Sequence, residues 1–162
     1  GSSAHLAGEM LNDGLKSDLL HVPYKGISNV AVDIAGNNLD MVITTPASVS
    51  GQIKMGLLKP LGVTTANASE FFPNLKSVAE YIPNYEVEAW WGIFAAANTP
   101  RWIVELLNAK INEVAAKTTL RNLFKNESTV PTNFNLEEAK AFVLKDQERW
   151  KTIAKNRNIK LI

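Results

Sequence analysis

Over the first 65 positions, apolar runs of two different periods take turns, and few folds can use that rhythm. Ala4 to Leu15 places Leu6, Ala7, Met10 and Leu11 at helical spacing, with Ser2 or Ser3 positioned as a cap and Gly14 marking the end. Leu19 to Tyr24 then reads as a short buried strand. Ile27 to Ala35 returns to helical spacing through Val30, Ala31 and Ile34, and stops at Gly36-Asn37-Asn38. Leu39 to Thr44 is a second strand, and Ala47 to Met55 a short helix closed by Gly56. Leu58 to Thr65 is a third strand, whose Pro60 belongs at an edge or at its first paired residues. Helix and strand in alternation predict an α/β fold, a parallel sheet with right-handed crossovers. The strands lack strict polar alternation, as expected when helices cover both faces.

Beyond Thr65 the pattern changes. Asn67 to Ser77 is polar and aromatic, and Val78 to Ile82 makes a short helical turn. Val87 to Ala97, with Trp90-Trp91-Gly92-Ile93-Phe94, reads as a further strand. Thr99-Pro100 starts a helix that buries Ile103, Leu106, Leu107, Ile111 and Val114, and Thr119 to Lys125 adds a short one. Asn135-Leu136-Glu137-Glu138 has capping-box spacing ahead of a last helix that sets Phe142, Val143, Trp150, Ile153 and Ala154 on one side.

A chain of 162 residues, 46% hydrophobic and 20% charged, suits one ordinary globular domain. Seventeen basic and 16 acidic side chains nearly cancel, which leaves no electrostatic footprint for nucleic acid and no polybasic run for a membrane surface. The most basic stretch, Lys151 to Lys160, is broken by Ile153, Ala154 and Ile159 and reads as the wet side of a helix. Without cysteine there is neither a disulfide nor thiolate chemistry. No apolar run reaches the roughly 18–20 residues that span a bilayer. No signal peptide precedes Gly1, so the chain as given is expected to be mature, truncated or cytoplasmic.

Constellations for catalysis are thin. There is no Gly-x-Ser-x-Gly elbow, no phosphate loop and no Gly-x-Gly-x-x-Gly. The two histidines, His5 and His21, read as structural, His21 as a satisfied core residue inside its strand. His5 and Glu9 share a helix face but fall short of a metal site. The pairs Glu86/Glu88 and Glu137/Glu138 have surface or capping explanations. No enzymatic activity, metal or cofactor is expected.

Three junctions share one chemistry: Ser2-Ser3 opens the first helix, Tyr24-Lys25-Gly26 the second, and Thr44-Thr45-Pro46 with Ser48 the third. A helix N-terminus presents unpaired N–H groups and about half a positive charge, so hydroxyls and a glycine there let a carboxylate approach. In an open α/β sheet ligands settle at the carboxyl ends of strands, where the latter two junctions fall. Ordinary capping accounts for the same residues one junction at a time, and the pattern leaves both explanations standing.

Gly1-Ser2-Ser3-Ala4-His5-Leu6-Ala7-Gly8-Glu9, then His21-Val22-Pro23-Tyr24-Lys25-Gly26, Asp33-Ile34-Ala35-Gly36 and Leu39-Asp40-Met41 form an ordered series. It continues through Leu58-Lys59-Pro60-Leu61-Gly62-Val63-Thr64, Pro73-Asn74-Leu75-Lys76-Ser77-Val78-Ala79-Glu80 and Trp91-Gly92-Ile93-Phe94-Ala95 with Asn98-Thr99-Pro100. Trp150 and a closing Ile159-Lys160-Leu161 complete it. Over essentially its whole length the chain resembles the Bug-type substrate-binding receptors of tripartite tricarboxylate transporters. The resemblance implies a periplasmic-binding-protein-like fold of the type II, Venus-flytrap kind: a parallel-rich sheet with flanking helices, here the C-terminal half with the first domain incomplete. Residues 1–85 would be the second, ligand-binding lobe. Residues 86–162 would be the crossover and return segment of the first lobe, without its N-terminal strands.

The same resemblance implies a Gram-negative periplasmic receptor, its signal peptide absent from this chain, that captures a small organic carboxylate and delivers it to the membrane subunits of the transporter. By position, the implied ligand contacts are Ser2, Ser3, Tyr24, Gly26, Thr44, Thr45 and Ser48, with Lys25 turned to solvent. Many members carry an acid about where Thr44 stands, and its absence points to a carboxylate without an amine. Two rivals remain: an enzyme on the same scaffold, and a non-binding fragment or regulatory module derived from such a receptor. Trp90, Trp91 and the last helices would lack their usual sheet. At roughly 25 cal/mol per Å² of apolar surface, that face is expected to be covered by another copy, a swapped segment or a separate N-terminal piece.

Overall fold

Ser2 sits in extended backbone and its Oγ accepts the His5 N–H at 3.3 Å, which starts helix α1 (Ser3–Leu15). The apolar stripe of α1 buries Leu6, Ala7 and Met10. In this computed structural model, which describes residues 2–156, the helix runs past Gly14 and closes at Lys16, a left-handed cap with φ 50°. Gly14 has a different reason to be there: a Cβ on it would lie 2.5 Å from Cγ2 of buried Ile82. It marks close packing as well as the last turn of the helix. Gly1, the Ile159-Lys160-Leu161 motif and the end of the Lys151–Lys160 stretch lie outside the described residues.

Helix α2 (Ile27–Ala35) buries Val30 and Ala31, and α3 (Pro46–Lys54), opened by a proline that needs no N–H partner, buries Val49. These two helices pack on each other. Ile82, Tyr85 and Val87 complete the buried apolar set of this part of the chain. Residues up to Ala89 make one compact unit and residues from Trp90 another.

The expected strands differ. Leu19–Tyr24, Leu39–Thr44, Leu58–Thr65 and Val87–Ala97 form no strand among the described residues, so the parallel-rich sheet is not assembled there. The one trace of it is a parallel bridge between Val63 and Ser77. Val63 N–H donates to the Lys76 carbonyl, Val78 N–H to that of Val63, and Val87 N–H to that of Thr64 at 2.8 Å. A run of apolar residues becomes a strand only when a neighbour supplies ladder hydrogen bonds, and here no neighbour does. Leu20 is consequently 87% exposed, and His21, expected in the core, is exposed as well. Beside the bridge, a 3₁₀ turn (Val78–Glu80) carries a capping box, with buried Ser77 donating to the Thr65 carbonyl at 2.5 Å.

The second unit holds α4 (Arg101–Ala115), α5 (Thr118–Asn126) and α6 (Leu136–Asn156). Pro100, not Thr99, is the N-cap residue of α4. Asn135 caps α6 as its spacing predicts: its Oδ1 accepts from Glu137 and Glu138 N–H, and Glu138 returns a bond to Asn135 N–H at 2.8 Å. Trp91 and Ile93 are 71% and 79% exposed, and Trp102 and Leu106 are exposed on α4, so apolar surface stays open in this chain. Among the described residues no helix is long and apolar enough to cross a membrane.

Candidate functional site

The three junctions resolve differently. At α1 the capping explanation holds: the Ser2 hydroxyl is engaged by the His5 N–H, and Ser3 stands exposed at the first helical position. At α2 there is no side-chain cap. Gly26 is extended (φ 179°, ψ 164°), a geometry open to any residue, and a Cβ placed there meets nothing within 4 Å. Neither backbone strain nor packing therefore demands a glycine at 26. At α3 the cap residue is Thr45, but its Oγ1 lies 2.8 Å from Ser48 Oγ and accepts from no backbone N–H of the helix. Thr44 is exposed beside it. Two helices in contact thus begin with N–H groups that no side chain caps, and the partial positive charge of each N-terminus is open to an anion.

Tyr24 is half-buried, and its hydroxyl donates to Asp33 Oδ2 at 2.6 Å, which raises its pKa above the usual tyrosine value. Lys25 is exposed. No hydrogen bond among the described residues joins the Thr44–Ser48 group to Ser2, Ser3 or Tyr24. The start of α1 does reach the segment before the second junction, because His5 and His21 stack with ring centroids 3.9 Å apart and planes 9° from parallel. His5 Nε2 also lies 3.4 Å from Glu9 Oε1.

Spacing gave no sign of that stack or of the Tyr24–Asp33 bond, since both depend on where the chain turns after α1. Asn12 makes that turn: its Oδ1 accepts from Ser17 Oγ and Leu19 N–H, both at 3.0 Å. Among the described residues no group of three or more His, Cys, Asp or Glu could hold a metal ion. In the second unit a hollow of ≈340 Å³ is lined by Arg101, Glu105, Asn108 and Asn135 to Glu137. Its guanidinium is already taken by Glu105 at 2.7 Å and Glu137 at 3.8 Å.

The histidine pair makes a pH prediction. Burial of the His5 ring, 18% exposed, and the neighbouring His21 both lower its pKa below 6.5, while Glu9 pulls the other way. The unfolded chain then binds more protons than the folded one just below pH 6.5, so stability falls as pH drops through that window. The melting temperature is expected to drop between pH 7.5 and 5.5, and His5→Phe, which keeps a ring to stack, should flatten the dependence. An equally steep slope in the variant assigns the effect elsewhere.

Backbones of known periplasmic binding proteins superpose on this chain and give the fold its class, α/β. R. palustris Rpa4515 with adipate aligns with a TM-score of 0.89 at 25% identity, over 98% of this chain and 53% of that one. Periplasmic binding protein BugD aligns with a TM-score of 0.83 at 27% identity, over 98% of this chain and 54% of that one. A UPF0065 protein from the tcbD-tcbE intergenic region of Pseudomonas sp. (strain P51) is 34% identical over 94% of this chain and 46% of its own length. The chain spans about half the length of these relatives. The family model "Tripartite tricarboxylate transporter family receptor" matches residues 1–159. The chain belongs to the tripartite tricarboxylate transporter receptor family.

Proposed function

We propose that this chain carries the ligand-binding lobe of a Gram-negative periplasmic solute receptor, which captures a small organic carboxylate and delivers it to the membrane subunits of a tripartite tricarboxylate-type transporter. No bond is made or broken; two lobes close on the ligand. Two helices in contact, α2 and α3, both starting without a side-chain cap, are the observation that carries this conclusion. A carboxylate placed there takes the open N–H groups and the helix charge without a buried cation. Gly26, Thr44, Thr45 and Ser48 line it and Tyr24 flanks it, while Ser2, engaged in the α1 cap, and Ser3 keep only the role that the resemblance implies. Thr44 offers no counter-charge to an ammonium group, which favours an acid without an amine, as with the adipate on R. palustris Rpa4515. Residues 1–85 form this lobe, and residues 86–162 belong to the other, whose remaining strands cover the apolar surface around Trp91 and Ile93.

Adipate serves as the probe in thermal-shift and calorimetric titrations, with other mono-, di- and tricarboxylates beside it. A ligand at 100 times its Kd should stabilise the chain by about 2.7 kcal/mol. Gly26→Ala is expected to melt no lower than the unsubstituted chain without ligand, because its Cβ enters open space, yet to bind at least about tenfold more weakly through the ligand's lost approach. Equal affinity in Gly26→Ala would remove the α2 junction from the site. Flat curves for every acid favour the second reading, a non-binding module, to which the exposed apolar surface lends weight.

A further inference from the structure

We propose that Tyr24 and Asp33 form a positioning pair that fixes the turn into α2, so that the amides following Gly26 are held where the ligand carboxylate meets them. This deepens the function proposed above and rests on its placement of the ligand at the starts of α2 and α3. Tyr24 lies two residues before Gly26, and Asp33 lies in the second turn of the helix that Gly26 opens. Their hydrogen bond, 2.6 Å from hydroxyl to Oδ2, is in the range of a charge-assisted O–H···O⁻ contact. It ties the body of α2 to a residue nine positions earlier in the chain, across a junction where no side chain caps the helix.

Without that tie the entry to α2 would turn on Lys25 and Gly26, an exposed lysine and a residue with no side chain. Glycine gives the backbone more freedom than any other residue, and freedom at a binding loop is lost again when ligand binds. A tether from Tyr24 to the body of α2 removes that freedom beforehand. The pair also handles charge. Asp33 is an anion on the helix that receives the ligand's anion, and its two oxygens are occupied by the Tyr24 hydroxyl and, at 3.4 Å, by Asn38 Nδ2. The phenol therefore positions the turn and does not itself contact ligand, which reassigns the role that Tyr24 holds by resemblance.

The test uses the 162-residue chain, adipate as the probe, and Tyr24→Phe, Asp33→Ala and Asp33→Asn. Tyr24→Phe and Asp33→Ala should bind adipate roughly tenfold more weakly, the worth of one hydrogen bond to a charged group. Their ligand-free melting temperatures should stay near that of the unsubstituted chain, which separates positioning from general stability. Asp33→Asn keeps an amide oxygen for the Tyr24 hydroxyl and should recover most of the affinity. Unaltered affinity in Tyr24→Phe overturns the pair. Should the unsubstituted chain bind no acid, the receptor function fails by itself, and backbone amide resonances of Gly26, Ile27 and Ser28 still decide the pair: displacement in Tyr24→Phe supports it, and unmoved resonances overturn it.

Discussion

Tyr85→Ala is expected to remove about 3–5 kcal/mol of stability from the first unit, enough to leave much of it unfolded at 37 °C. Tyr85 is 1% exposed, and its hydroxyl donates to the Ala7 carbonyl at 3.1 Å across 78 residues of chain. Burial raises its pKa, so the hydroxyl is a neutral donor throughout the physiological range. The ring does most of the stabilising. Among the described residues it is the largest fully buried side chain, and truncating it to a methyl group opens a cavity beside Ala7, itself fully buried. Tyr85→Phe loses only the hydrogen bond, about 1 kcal/mol, because the carbonyl it leaves still sits inside α1. Urea unfolding followed by circular dichroism distinguishes the two. Equal losses in both variants would move the weight from packing to the hydrogen bond.

The second unit should respond most to Asp146→Ala. Asp146 Oδ2 accepts from two indoles, Trp90 Nε1 at 2.9 Å and Trp150 Nε1 at 3.1 Å. Trp90 also meets Phe142 edge-on with centroids 5.4 Å apart, and Phe142 meets Phe134 at 5.6 Å. One carboxylate on α6 thus anchors the segment that precedes α4. Its removal costs about 2 kcal/mol, less than the sum for two bonds to a charged group because the Trp90 bond lies at an exposed site. It also leaves the Trp90 indole in water, so tryptophan emission should shift to longer wavelength along with the lower urea midpoint. Asp146→Asn, which keeps a carbonyl oxygen, should fall between. An unshifted spectrum in Asp146→Ala would mean that the aromatic contacts hold Trp90 without the carboxylate.

The helices of this protein were legible because their determinants are local. Leu6, Ala7 and Met10 on one face, Val30 beside Ala31, and the Asn135 capping box all act within a turn or two of chain, and the structure follows them closely. Gly14 stands one residue before the end of α1, as its position suggests, but its missing side chain has a tertiary reason that no local pattern shows: it makes room for Ile82. The strands failed for a related one. Leu19-Leu20 and Ile93-Phe94 are apolar enough to be strands, but a ladder needs a second chain segment at hydrogen-bonding distance, and among the described residues only Val63 and Ser77 form a bridge. At the candidate site the residue types were legible and their roles were not. Ser2, Gly26 and Thr45 occupy equivalent places at three helix starts, yet only Ser2 caps.

Composition and order along the chain were sufficient for the family, for the helices, and for hydroxyls and a glycine gathering at helix starts, since each depends on residues near one another in sequence. Folding alone could pair Tyr24 with Asp33, stack His5 on His21 and set α2 against α3. Those contacts need distant segments to meet, and the meeting depends on how every intervening turn is made, beginning with the one that Asn12 draws around Leu19.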